Sequence, residues 1–377
     1  MHGTLHSSRH GNEPDLRRTG LNPDHWYPLA AAKDLRKGKT LAVAFAGDPI
    51  VLVRTESDRV YALEDRCAHR QMPLSCGVVE GERLKCCYHA WIYNDRGRCT
   101  VPYLPKGVPM PRGVRAYPSR EEYGFVFIFP GDPALAEKTP LPDLPAFRSR
   151  AHKTMAFSRQ VKCHYSFMHE NLMDMNHQFL HRHVTGKIKP THMETRQANG
   201  LVEVDYRFDL VEGKTHLGSR LMCTSRNQSD TRSGVMTIAT QYPYQRLQLR
   251  RINADEPVLS LWAAYVPVDR QQRINQTFGL LSIRKPKIPV LLALAWPIIR
   301  YFTEAVFAED RFAVEAEQRA YDQQGADWNQ EILPFICDLR NLLIANGVPI
   351  EAAAAEARPA HFASRRDSDA SSRFPAA

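Results

Sequence analysis

The chain has 377 residues, 43% hydrophobic and 24% charged, the balance of an ordinary soluble globular protein with room for about two domains. Its formal charge of +9 is dispersed, without an arginine-rich run or an aromatic-basic ladder. That argues against nucleic acid and for a solvated basic surface, with an acidic electron-donor protein steered in by the field as the alternative. Eight cysteines do not form a secreted disulfide framework, and the N-terminal MHGTLHSSRHGNEPDLRRTG has no signal-peptide apolar core, so a cytoplasmic location is expected.

In chain order, residues 1–20 are expected to be disordered and LNPDHWYPLA (21–30) to open the ordered part. TLAVAFAG, PIVLVRT and RVYALED (40–65) are apolar stretches punctuated by Gly and Asp and predict β-strands. Strand character continues through AWIYNDRGRCTVPY and GFVFIFPGDP (124–133), and TPLPDLPAF (139–147) predicts a linker. A first domain over 21–138, a linker over 139–150 and a second domain over 151–350 follow. Within the second, 162–183 predicts a helix and five strands span 201–211, 234–243, 245–254, 259–268 and 274–283. Helix-favouring sequence then runs from about 289 to 346, giving an α+β layout. Residues 351–377 predict a frayed helix end and a disordered tail. The twelve-residue apolar run IPVLLALAWPII (288–299), bracketed by Lys285, Lys287 and Arg300, is shorter than the roughly 20 residues of a bilayer span. A buried helix or the wall of a substrate pocket is expected there, with shallow membrane contact the alternative.

Two loops carry a metal-ligand pattern: Cys67-x-His69, sixteen residues, then Cys86-x2-His89, the loops separated by the hairpin-like VVEGERLK. Zinc can also hold two Cys and two His, but zinc fingers pair Cys with Cys and His with His. One Cys and one His per loop suits a 2Fe–2S cluster with two thiolates on one iron and two imidazoles on the other. The pattern resembles the Rieske domain of bacterial non-haem iron oxygenases. The extra disulfide of respiratory Rieske proteins would fall on Met72 and Tyr88 and is absent, and Cys76 and Cys87 are spare thiols.

HENLMDMNHQFLHRHV (169–184) resembles the iron-binding helix of that family, Asp/Glu-x3-Asp-x2-His-x4-His, through Glu170, Asn171, Asp174 and His177. The expected second histidine position holds Arg182. His181 lies one residue early and His183 one late; an i, i+4 pair favours His181. His164 and His169 are expected to be packing residues. A facial triad needs one carboxylate besides two His, and FAEDRFAVEAEQ (307–318) resembles the segment that supplies it in demethylase-type members, which implies Asp310 with Glu309 beside it. Without the upstream motifs, both would be ordinary helix-start carboxylates.

The resemblance implies an all-β Rieske domain followed by a helix-grip (START-like) antiparallel sheet domain with long helices. It implies a terminal oxygenase that hydroxylates or oxidatively demethylates an aromatic or other hydrophobic small molecule with O2. The cofactors would be a 2Fe–2S cluster and mononuclear Fe(II). NAD(P)H electrons would come through a ferredoxin or flavin reductase, since no GxGxxG motif is present. It further implies that Asp174 links His89 to His177 between subunits of a head-to-tail homotrimer. An electron carrier or a ligand-binding module without oxygenase activity is the alternative.

Overall fold

The computed structural model describes residues 15–184, 187–212, 233–252, 254 and 256–350. Three small antiparallel sheets build the N-terminal half, with orders Ala116–Tyr117, Val60–Glu64, Asp48–Arg54, Lys39–Phe45; then Ser119–Glu122, Phe125–Ile128, Tyr27–Ala31; then Val78–Glu80, Arg83–Lys85, Ile92–Tyr93, Cys99–Thr100. Two hairpins set their register. Phe45 pairs with Asp48 across Ala46-Gly47, and Glu122 with Phe125 across Tyr123-Gly124. All four turn residues have positive φ, the two-residue turn whose twist matches flanking strands.

One seven-stranded antiparallel sheet dominates the rest, in the order His152–Val161, Asn275–Arg284, Leu259–Pro267, Tyr244–Arg251, Ser233–Gln241, Leu201–Glu212, Lys187–Ala198. The five expected strands are present. His152–Val161 and Lys187–Ala198 were not foreseen, because their charged residues interrupt any apolar alternation. A helix Pro289–Gln324 and a shorter one Pro334–Asn346 complete the half. The continuous helical region expected over 289–346 is thus divided; Gly325, at φ 75°, caps the first helix in the left-handed conformation.

A single apolar cluster crosses between the halves. Phe125 packs edge-on to Phe278 and beside Trp262. The Ala46 and Gly47 amides donate to the Pro267 and Val268 carbonyls, both at 2.8 Å. The 139–147 segment is a packed strap: Leu141, Leu144 and Phe147 lie on the core, and Thr139 accepts from the Trp26 indole.

Three expectations are corrected. Residues 15–20 are ordered: Leu16 is fully buried, and Thr19–Gly20 pair with Val348–Pro349. The buried Arg17 guanidinium donates to Ser166 and Glu170 and lies 3.6 Å over the Phe167 ring. Second, 162–183 is not one helix. An α-helix covers Tyr165–Met173, Asp174 is extended, and a 3-10 helix follows over Met175–His183. Asp174 ends one segment and its side chain caps the next through the Asn176 amide. Third, the run 288–299 is helical but only partly buried: Leu294 is 73% exposed. The expected disordered ends, 1–14 and 351–377, lie outside the described residues.

Arg17 and Arg340 share Glu170 and Asp327 in one buried ion cluster. Removing one partner leaves a buried charge undercompensated. Arg17→Met is expected to cost about 3 kcal/mol, read as a lower urea midpoint; an unchanged midpoint would show that the N-terminal anchor is dispensable.

Candidate metal centres

The two Cys/His loops are built alike. The Cys67 amide donates to the Met72 carbonyl and the Cys86 amide to the Trp91 carbonyl, each at 2.8 Å, closing both loops over the same five-residue reach. Each loop turns through a left-handed residue just before that closure, Gln71 at φ 60° and Ala90 at φ 55°. The register brings four donors together. Cys67 and Cys86 are buried at 2% and 3% exposure and belong to the same packed cluster. The His69 and His89 rings lie 4.5 Å apart nearer the surface. Two buried sulfurs behind two outward imidazoles form a donor set that fits a His-ligated 2Fe–2S cluster.

Two neighbours were missed from sequence. The Tyr93 hydroxyl lies 3.2 Å from the Cys67 sulfur and accepts from the Ala68 amide at 3.0 Å. Trp91 stacks on His69 at 4.7 Å and 7°. Both belong to the short segment that leaves the second loop, where strand alternation sends Tyr93 inward. That alternation was the available signal.

The second group lies where the 3-10 segment meets the long helix. His177, His181 and Asp310 each place a ligand atom within 4.8 Å of the others. His181 Nε2 is 3.1 Å and His177 Nε2 3.6 Å from Asp310 Oδ1. His177 Nδ1 meets the Asp174 carbonyl and His181 Nδ1 meets Glu309 Oε2 at 2.8 Å. A carbonyl and a carboxylate only accept, so both Nδ1 atoms carry the proton. Both Nε2 atoms face Asp310, where a metal ion would take the place of the proton that His181 Nε2 shares with the carboxylate. The 3-10 geometry matters here. In an α-helix, i and i+4 stand only about 40° apart; at three residues per turn they stand about 120° apart. The two rings cross at 87° with centroids 5.0 Å apart, so the donors approach from different directions, as one face of an octahedron requires.

Charge supports the geometry. Burial disfavours the Asp310 carboxylate, but the His181 hydrogen bond, nearby His177 and the Asn171 amide hold its pKa below the usual value. Burial likewise disfavours His181 as a cation, yet Asp310 and Glu309 carry its pKa above the ordinary one. The pocket is thus prepared for positive charge between carboxylate and imidazole. Two imidazoles and one carboxylate fit a mononuclear iron with open positions. His183 is exposed and outside this group, and Asp174 turns its carboxylate to Asn176 at 2.8 Å. His164 and His169 are buried packing residues; burial pushes the His169 imidazole down to about 3. A cavity of about 410 Å³ opens between the 139–151 strap and the sheet, lined by Phe147, His152, Arg246 and Trp262 among others, and it includes none of the three ligand candidates.

Comparisons with known proteins match both halves of the chain. The Rieske [2Fe-2S] domain model matches residues 25–118, and the vanillate O-demethylase oxygenase C-terminal domain model matches 161–334. The 4beta-methylsterol monooxygenase of Methylococcus capsulatus is 32% identical over 343 residues, 87% of this chain and 89% of the relative. The chain belongs to the Rieske non-haem iron oxygenases. The oxygenase component of dicamba O-demethylase from Stenotrophomonas maltophilia is 35% identical over 159 residues, 42% of this chain and 47% of that protein. The crystal structure of dicamba monooxygenase bound to dicamba superposes with a TM-score of 0.69 at 21% identity, covering 91% of this chain and all of that one, which establishes the α+β fold. The protein is an oxidoreductase that carries a Rieske 2Fe–2S cluster and uses non-haem iron. Its electrons derive from NAD(P)H through a partner reductase or ferredoxin, and its substrate is a small molecule.

Hydrogen bonds to cluster sulfurs raise the reduction potential. Tyr93→Phe is expected to keep the cluster and lower its potential, measured by redox titration of the reduced cluster's paramagnetic resonance signal. A potential equal to wild type would remove Tyr93 from the tuning set.

Proposed function

We propose that this oxygenase oxidises a methyl group on a sterol-like, polycyclic hydrophobic molecule, working in the cytoplasm without a transmembrane span. The observation that carries this reading is the similarity to the methylsterol monooxygenase, which runs through nearly the full length of both chains. The dicamba and vanillate relatives, O-demethylases by name, are 35% and 36% identical over 42% and 34% of this chain. They support aromatic O-demethylation as the second reading. The test is turnover by the holoenzyme with a reconstituted reductase. Hydroxylated product from a methylsterol and none from methoxybenzoates is expected; the reverse would exchange the two readings.

In this reading Cys67, His69, Cys86 and His89 hold the cluster within a domain over 21–138. His177, His181 and Asp310 hold the iron within a domain over 151–350, joined by the 139–150 linker. Once bound, the iron supplies O2 activation with electrons stored in the cluster. The chain supplies position. Asp174 and Glu309 fix the two imidazole tautomers, and Asn171 steadies the Asp310 carboxylate. Asp174 is the electron bridge. One of its oxygens takes two hydrogen bonds from Asn176; the carboxylate then meets His89 of a neighbouring subunit in a head-to-tail homotrimer, a closed ring of heterologous contacts.

Two variants separate binding from transfer. His181→Ala is expected to lose mononuclear iron and keep the cluster spectrum, while His183→Ala keeps both; the opposite pattern would move the ligand to His183. Asp174→Asn is expected to retain both metals while cluster oxidation in a single turnover slows by about 100-fold, the upper end for groups supporting a metal centre. Wild-type oxidation rates in a variant holding both metals would show that Asp174 is not the bridge.

A further inference from the structure

The first third of the long helix is apolar on every side. Leu292 and Ile299 are buried against Leu281 of the large sheet, with Ala295 and Trp296 packed beside them. At about 100° per residue, the opposite side carries Val290, Leu294 and Tyr301, flanked by Leu291 and Ile298. All five are exposed, Leu294 by 73% and Tyr301 by 72%. A helix apolar all round belongs in a core or in lipid. Here only 11% of the residues in the most apolar 18-residue stretch of the helix are buried.

Charge adds a second, independent observation. From Lys285 to Thr303 the sequence holds Lys285, Lys287 and Arg300 and no carboxylate. Two of these cations stand at the helix N-terminus, where the helix dipole disfavours positive charge. The first turn has no acidic residue, and Ile288 at the cap offers no side-chain hydrogen bond. Lys153 extends the cationic rim, its ammonium 4.5 Å over the Trp296 ring. The arrangement is unfavourable for the helix by itself and becomes favourable against an anionic plane.

We propose that this face docks the enzyme on a lipid bilayer bearing anionic headgroups. The helix lies parallel to the surface, with Val290, Leu294 and Ile298 at the acyl boundary and Lys285, Lys287 and Arg300 among the phosphates. A bilayer suits the face better than an isologous contact with a second copy, which would lay the cationic rim against itself. Crossing is precluded by the same helix: beyond Thr303 it carries Glu304, Glu309, Asp310 and Arg311, and Asp310 is committed to the iron-ligand cluster. The inference does not depend on which substrate the enzyme oxidises.

The test is flotation of the holoenzyme with vesicles of phosphatidylcholine, alone or mixed with phosphatidylglycerol. Wild type is expected to float with the anionic vesicles. Lys285→Gln with Lys287→Gln is expected to weaken that binding by about 25-fold, at roughly fivefold per lysine. Leu294→Glu with Ile298→Glu is expected to abolish it, with the cluster spectrum and circular dichroism unchanged. Wild type remaining unbound, or the Leu294/Ile298 variant floating as wild type does, would overturn the proposal. A fall in particle mass of that variant, without loss of vesicle binding, would assign the face to a subunit contact and overturn it equally.

Discussion

The His181 imidazole is gripped at both nitrogens by consecutive residues of one helix, Glu309 and Asp310. This grip is the constraint on which the catalytic half depends. It fastens the short 3-10 segment, which lacks the length to be stable alone, to a 36-residue helix that the sheet holds in place. Consecutive helix residues point about 100° apart; they can grip one ring only because the ring inserts edgewise between them. Glu309 then fixes the proton on Nδ1 while Asp310 holds Nε2, the nitrogen left to bind a metal ion in place of its proton. Tautomer, ligand direction and segment position are therefore set by one contact.

The same logic explains why Asp174 is extended. In a continuous α-helix from Tyr165 to His183, His177 and His181 would stand about 40° apart on one face. Breaking the backbone at Asp174 restarts the chain with three residues per turn and spreads the donors. The Asp174 carbonyl accepts the first 3-10 bond, from the His177 amide, and also takes the His177 Nδ1–H. One residue ends a helix, caps the next and orients a ligand candidate.

The cluster loops were legible because their chemistry is written in residue type and spacing over a short stretch, Cys67 to His89. The strands of 40–65 and 201–283 were legible because apolar alternation marks a half-buried strand. What stayed hidden was long-range. Nothing local in LRRTG marks Arg17 as buried: its partners Glu170 and Asp327 lie far along the chain, and a basic stretch near a terminus looks solvated until they are known. Glu309 looked like a neighbour of the ligand because its partner is 128 residues away. The spacing departure at 181–183 was visible, but that His181 rather than His183 stands beside Asp310 depends on the 3-10 geometry of the segment and on the position of Asp310.

The apolar run at 288–299 was misjudged for a physical reason: composition reports how apolar a helix is, not how many of its sides the protein covers. The sheet covers one side, through Leu292 and Ile299, and the rest faces outward. From Leu294 to Asp310 the helix advances about 24 Å at 1.5 Å per residue, so with the helix parallel to the bilayer the iron-ligand candidates would stand about that far along the surface from the docked turns. A rigid helix carrying both features fixes that separation. It would let a bilayer-dissolved substrate leave lipid beside the large sheet, with little exposure to water, while the ligand end stays in the protein interior. For a small polar substrate such an arrangement would serve no purpose; for a polycyclic hydrocarbon, whose transfer into water costs about 25 cal/mol per Å² of apolar surface, it removes the largest barrier to reaching the site.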